Sequence, residues 1–173
     1  MISLIGLPGS GKSTVGRQLS RRLQRPFFDS DHVIEQQLGC SIREYFEREG
    51  EARFRDIESA VIDELTQKHN SILSTGGGSV LRPANRGFLR TRTQVVYLNS
   101  SPDELFRRLR HDKNRPLLQV ADPLSRLRDL HAQRHPLYLE TAHVSIDTGR
   151  PSVSSLVNMI MSQLGLSDER VQL

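Results

Sequence analysis

Nine consecutive residues constrain this chain more than any other feature. Gly6-Leu7-Pro8-Gly9-Ser10-Gly11-Lys12-Ser13-Thr14 fits G-x-x-x-x-G-K-S/T without a gap. The stretch follows an apolar run, Met1 to Ile5, and opens a segment in which Val15, Leu19 and Leu23 recur at helical spacing. Between a strand and a helix, such a loop is a polyphosphate cradle. Glycines at 6, 9 and 11 let backbone N–H groups point inward where side chains would block a phosphate. The helix N-terminus adds partial positive charge. Lys12 reaches the β and γ phosphates as a point charge, and the Ser13 hydroxyl is placed to ligate Mg²⁺. Gly9, Ser10, Gly11, Lys12, Ser13 and Thr14 are therefore the expected nucleotide-binding residues. A dinucleotide fingerprint is excluded, because Thr14 stands where its last glycine belongs and Lys12 lies inside the turn. No N-K-x-D guanine reader occurs, so adenine is the expected base.

Composition narrows the setting. With 173 residues, 36% hydrophobic and 25% charged, the chain has the balance of one globular domain. A single cysteine, Cys40, excludes an internal disulfide and a cysteine-rich zinc site and fits a reducing compartment. The first residues, MISLIG, carry no basic n-region, and no apolar run approaches the roughly 20 residues that span a bilayer, so a cytoplasmic location is expected. The formal charge is +4, and Lys occurs only at 12, 68 and 113, so 21 of the 24 basic residues are Arg. A basic surplus permits a nucleic-acid partner. The scarcity of aromatics, the absence of Trp and the lack of a nucleic-acid motif argue against one.

Short apolar runs alternate with longer segments of helical period, the pattern of an α/β domain with a mainly parallel sheet. Strands are expected at 1–5, 26–29, 71–74, 94–98 and 143–146. Helices are expected at 12–23 and 52–68, from about Pro83, Pro102 and Pro123, and from about Pro151 to Leu164. Proline is tolerated in a first helical turn, where its missing N–H costs nothing. Residues 110–122, RHDKNRPLLQVAD, hold no stable period and read as a polar loop placed where a lid would close over nucleotide.

Ligands of open α/β sheets bind outside the carboxyl ends of the strands, so FFDSD brings Asp29 and Asp31 beside the phosphates. One carboxylate would face Mg²⁺ through water and the other a substrate hydroxyl. The competing reading makes Asp31 the cap of a helix over 32–38. The run STGGGSV offers three glycines whose backbone a ligand can approach closely. Arg55 lies three residues before Glu58, and Arg134 precedes Pro136 at an expected helix break.

Taken in chain order, GLPGSGKST, FFDSD, FRDIE, STGGGSV, NRPLL and RHPLY resemble the shikimate kinase family, small P-loop enzymes that phosphorylate the 3-hydroxyl of shikimate with ATP. The resemblance runs from Leu4 to about Val157. It implies a three-layer P-loop kinase fold with a five-stranded parallel sheet, order 2-3-1-4-5, flanked by helices and carrying a mobile lid. Residues 1–165 would form the single domain, with a substrate-binding segment at about 31–60, a lid at about 110–122 and a loose tail over 166–173. By the same resemblance Lys12, Asp31 and Arg115 are catalytic. Ser13 and Asp29 would serve Mg²⁺, and Arg115 would close over the transferring phosphate. Arg108 and Pro151 would sandwich the adenine. Arg55 and Arg134 would clamp the shikimate carboxylate, with Gly76, Gly77 and Gly78 across the ring, Phe46 and Phe54 as apolar neighbours, and Glu58 holding Arg55. ATP and shikimate are the implied partners of a monomer, with Mg²⁺ as cofactor and neither nucleic acid nor membrane. A kinase for another small hydroxy acid such as gluconate is the related alternative; the Arg55 and Arg134 pair with the glycine row weighs against it.

Overall fold

The computed structural model describes residues 1–110 and 120–167. Arg115 and most of the expected lid, like the end of the expected tail, lie outside the described residues. Five strands form one parallel sheet: β1 (Ile2–Ile5), β2 (Phe27–Asp29), β3 (Ile72–Ser74), β4 (Gln94–Asn99) and β5 (Val144–Asp147), in the order β2-β3-β1-β4-β5. The connections contain α1 (Lys12–Leu23), α2 (Ser30–Leu38), α3 (Ile42–Glu49), α4 (Glu51–Leu65), α5 (Pro83–Arg92), α6 (Pro102–Leu109) and α7 (Pro123–Thr141), and α8 (Val153–Gln163) follows β5. No helix of the described residues is long and apolar enough to cross a membrane.

The period-two alternation of the strands divides the core between two faces. Ile2 and Leu4 of β1, with Val96 and Leu98 of β4, meet Val15 and Leu19 of α1 and Leu156, Val157 and Ile160 of α8. Ile5 of β1, with Val95 and Tyr97 of β4, faces the other way and meets Ile34, Phe54, Val61, Leu89, Leu127 and Tyr138 from α2, α4, α5 and α7. All four residues of β1 are buried, as a strand covered on both faces requires.

Helix boundaries follow local chemistry. Ser41, Ser101, Asp122 and Ser152 cap α3, α6, α7 and α8 by accepting a hydrogen bond from the backbone N–H three residues on. Pro83, Pro102 and Pro123 occupy the first helical position of their helices. The competing reading of Asp31 as a helix cap fails: Asp29 caps α2, which begins at Ser30. A separate helix, α3, lies within the expected substrate-binding segment, over residues for which no helix is expected although Ile42, Tyr45 and Phe46 recur at helical spacing. Finally, α7 runs unbroken through Pro136, so Arg134 sits mid-helix. Contacts of α7 with α5, α6 and β4 carry the helix across the missing hydrogen bond.

Helical glycines 16 and 87 make a matched test of this packing. A Cβ at Gly16 would stand 2.6 Å from Phe27 Cε2 and 3.3 Å from Leu4 Cδ1, whereas one at Gly87 meets nothing within 4 Å. Alanine gains about 1 kcal/mol over glycine in a helix interior, and overpacking a core costs about 1–3 kcal/mol. Chemical denaturation should therefore show Gly87→Ala stabilised by about 0.5–1 kcal/mol and Gly16→Ala destabilised by about 1 kcal/mol. Equal gains at both positions would contradict the close approach of α1 to the sheet.

Candidate active site

Parallel strands all point the same way, so the carboxyl ends of β1, β2 and β3 lie side by side. The register aligns Leu4 with Ser74 and Asp29 with Ser74. The phosphate loop after β1, the Asp29–Asp31 segment after β2 and the glycine row after β3 therefore converge. Together they line a cleft of about 360 Å³ that includes Gly9, Gly11, Lys12, Ser13, Thr14, Asp29, Asp31, Ser74, Gly76 and Gly77.

Gly9 and Gly11 adopt φ angles of 84° and 94°, a region that L side chains rarely enter, so the loop's curl requires glycine at both. Gly9 also faces Leu109 of α6: a Cβ there would stand 2.7 Å from Leu109 Cδ1. Lys12 is buried, and its ammonium donates to the carbonyls of Gly6 at 2.8 Å and Leu7 at 2.9 Å. Those bonds tie the cation to the carbonyl oxygens at the start of its own loop. Ser10 is buried, with no hydrogen-bond partner for its hydroxyl.

Ser13 Oγ donates to Asp29 Oδ2 at 2.7 Å and lies 3.3 Å from Ser74 Oγ. The other Asp29 oxygen accepts from the N–H groups of Asp31 at 3.0 Å and His32 at 3.3 Å. One carboxylate thus closes the start of α2 and reaches the P-loop. With capping done by Asp29, Asp31 turns into the cleft, where a Cβ at Gly76 would stand 2.6 Å from its Oδ1. Burial, then the neighbouring charges of Asp29 and Glu58, push the Asp31 carboxyl up to about 6, against a smaller opposing pull from Lys12.

On the far side, Arg55 of α4 pairs through Nη1 with Glu58 Oε1 at 2.8 Å, and both side chains are largely shielded from water. Burial pushes the Glu58 carboxyl up, and Arg55 acts in the opposite sense. The Arg55 guanidinium lies over the Phe54 ring at 5.1 Å and the Phe46 ring at 6.0 Å, and those rings are 5.1 Å apart. Phe54 belongs to the hydrophobic core, while Phe46 is half-buried against it. Arg134 comes from α7, with Nη1 3.3 Å from the place of a Cβ at Gly77. The Nε atoms of Arg55 and Arg134 are buried without a hydrogen-bond partner, the longer approach of Glu51 to Arg55 at 3.5 Å apart.

The glycine row owes its composition to the protein's own side chains. A Cβ at Gly76 would meet Asp31, one at Gly77 would meet Pro8 Cδ at 2.6 Å, and one at Gly78 would collide with the Arg55 guanidinium. None of the three has a left-handed backbone. Ser30, buried beneath them, accepts the Gly76 N–H at 3.2 Å. Ser30, Ser74, Pro8 and Leu109 were not singled out by motif; strand order and register would have found Ser74, which ends β3 beside Asp29.

The two expected adenine contacts stand apart from the phosphate cleft. Arg108, on the last turn of α6, donates to the Thr148 carbonyl at 2.8 Å, reaching the connection that leads to Pro151. Pro151 lines a second, larger cleft of about 660 Å³, with Asn99, His131, His135 and Asp147 among its walls. The phosphate cleft, although smaller, holds the chemically apt groups.

Comparison with known proteins agrees with this geometry. The family model described as shikimate kinase matches residues 8–165. A shikimate kinase of Paracidovorax citrulli is 60% identical over 172 residues, covering 98% of this chain and 94% of the relative. One from Ralstonia nicotianae is 56% identical over 163 residues, covering 94% and 86%. Among solved structures, a shikimate kinase from Acinetobacter baumannii in complex with shikimate superposes with a TM-score of 0.89 at 43% identity, covering 99% of this chain and 94% of that one. With its sheet order, its P-loop and a likeness that extends over nearly its whole length, the chain belongs to the shikimate kinase family.

Proposed function

We propose that the chain transfers the γ-phosphoryl group of ATP to the 3-hydroxyl of shikimate, and that the guanidinium groups of Arg55 and Arg134, whose buried Nε atoms have no hydrogen-bond partner, receive the shikimate carboxylate. That pair of orphaned donors carries the reading. A buried donor without a partner costs about 1–3 kcal/mol, and a carboxylate relieves two of them at once through charge-assisted bonds. Glu58 holds Arg55 in place, the Phe46 and Phe54 rings back its guanidinium, and Gly76 to Gly78 leave room for it.

Phosphoryl transfer needs positioning and charge stabilisation more than covalent chemistry. Gly9, Ser10, Gly11 and Thr14 wrap the phosphates, and Lys12 exchanges its carbonyl partners for β and γ oxygens. Ser13 and Asp29 supply the hard oxygen donors that suit Mg²⁺, which uses few protein ligands beside phosphate and water. When bound, the metal neutralises charge on the phosphates. Asp31 orients the substrate hydroxyl and accepts its proton, and a carboxyl titrating near 6 is matched to that task at neutral pH. Arg108 and Pro151 border the adenine. Every polar group named comes from one chain, so a monomer suffices.

ADP release dependent on shikimate, with quinate as comparator, tests the activity; no shikimate-dependent ADP at millimolar substrate would overturn it. Arg134→Ala should raise the shikimate KM about tenfold or more while the ATP KM moves within about threefold. Equal changes in both would contradict the carboxylate clamp.

Asp31→Asn should lower kcat by about 10²–10⁴ with little change in ATP binding. In the intact enzyme, activity should fall as pH drops through about 6, because the accepting form is the ionised one. Stability moves in the opposite direction. Folding raises the Asp31 pKa from 3.8 to about 6, so the ionised group opposes folding, and stability is lost as pH rises across that window. Asp31→Asn should thus be more stable than the parent by about 1–2 kcal/mol at pH 8 and indistinguishable from it near pH 3. Equal stability at both pH values would mean that the carboxyl is not perturbed.

A further inference from the structure

The RHPLY motif contains a residue to which the reaction as described gives no task. Tyr138 is fully buried, and its hydroxyl donates to the Gly77 carbonyl at 2.6 Å, across 61 residues of sequence. It lies one helical turn after Arg134, on the same face of α7. The Arg134 guanidinium is close enough to the phenol to act on its charge. One hydroxyl thus holds the glycine row after β3 to α7, one turn from Arg134.

The glycine row shows what that contact controls. The Gly76 carbonyl accepts from Ser79 N–H at 3.1 Å and the Gly78 carbonyl from Leu81 N–H at 3.1 Å, both within the local turn. The Gly77 carbonyl is instead held by a side chain from a distant helix. Because the peptide is planar and trans, fixing the Gly77 C=O toward α7 fixes the Gly78 N–H on the opposite side. Glycine peptides have no side chain of their own to resist rotation. Gly78 is also the position against which the Arg55 guanidinium lies.

We infer that Tyr138 is a positioning residue for the substrate acid: its hydroxyl sets the Gly77–Gly78 peptide and, beside it, the place of Arg134. The inference rests on the assignment of this pocket to shikimate. Burial pushes the Tyr138 phenol well above its ordinary range, so the proton needed for donation is retained throughout the working pH range. The ring is packed against Tyr97 at 4.9 Å between centroids, which keeps the hydroxyl from swinging away. The Tyr97 hydroxyl points elsewhere, with His135 Nδ1 at 2.8 Å and Asn99 Oδ1 at 3.2 Å. The two tyrosines therefore form a natural pair for comparison, touching rings with hydroxyls committed to different places.

Steady-state kinetics of Tyr138→Phe and Tyr97→Phe test the inference. Phenylalanine keeps either ring and removes one buried hydroxyl. Tyr138→Phe should raise the shikimate KM about tenfold, with the ATP KM within about twofold and kcat within about threefold, since the tyrosine does not touch the reacting hydroxyl. Tyr97→Phe should leave the shikimate KM within about twofold. If Tyr138→Phe is too unstable for kinetics, its thermal shifts give the same answer: stabilisation by shikimate lost, stabilisation by ATP retained. An unchanged shikimate KM or thermal shift, a parallel rise in both KM values, or the same effect from Tyr97→Phe would overturn it. Arg134→Ala separates the two readings. If that variant leaves the shikimate KM unmoved, the pocket assignment fails. If it raises the KM and Tyr138→Phe does not, the role of Tyr138 alone fails.

Discussion

Everything at the site depends on β1 being hydrogen-bonded on both sides. Its pairing with β3 and β4 places it at the centre of the sheet, so the loop that leaves its carboxyl end emerges between neighbours rather than at an edge. β3 delivers the glycine row on one side, and β2, one strand farther, delivers Asp29 and Asp31. Thr75 ties the corner: its hydroxyl donates to the Leu4 carbonyl at 2.9 Å, joining the exit of β3 to that of β1. A strand inserted or lost between β1 and β2 would move the two carboxylates by about 5 Å or more relative to the phosphate loop. The spacing of the phosphate loop, the two aspartates and the glycine row is thus set by backbone pairing, and side chains adjust it only finely.

The electrostatics at this junction is an arrangement of buried acidic and basic groups, some in direct contact and some not. The charges of Asp29 and Glu58 oppose ionisation of Asp31 and that of Lys12 favours it, while Arg55 and Arg134 favour ionisation of Glu58. Burying such groups is costly unless each finds a partner. Arg55 and Glu58 find one another, and Lys12 finds backbone carbonyls. What is left over is two buried guanidinium Nε atoms without a hydrogen-bond partner, that of Arg55 having only the 3.5 Å approach of Glu51. The abundance of arginine elsewhere has a plainer account. Arg43, Arg53 and Arg128 pair with carboxylates at the surface, where such bridges contribute little.

Much of this was legible in the sequence because it is local. The P-loop is contiguous, the strand runs end where polar chemistry begins, and serine, aspartate and proline announce helix starts by the bonds that they make or lack. Other features depend on contacts that sequence spacing does not encode. Two aspartates flank Ser30, and only the strand's register decides that the first becomes the cap and the second faces the cleft. The helix Ile42–Glu49 does carry Ile42, Tyr45 and Phe46 at helical spacing, but it spans only about two turns, too short for the period to repeat. Pro136 suggested a break, yet packing along α7 holds the helix through it. The three glycines read as openings for a ligand. In the folded protein they are first of all openings for Asp31, Pro8 and Arg55.

That last difference bears on how the pocket can vary. At three consecutive positions the volume of a side chain is occupied by groups from three other segments of the chain, so a substitution there disturbs internal contacts before it reshapes the space for a ligand. The surroundings of the Arg55 guanidinium are built differently. Phe46 is half-buried on a short helix with no fully buried residue, and it leans on Phe54 from the main core. The glycine row is therefore structurally committed, whereas Phe46 can change with less disturbance to the core. In the proposed acid site, variation in the size of the ligand has its open route through α3 rather than through the glycines.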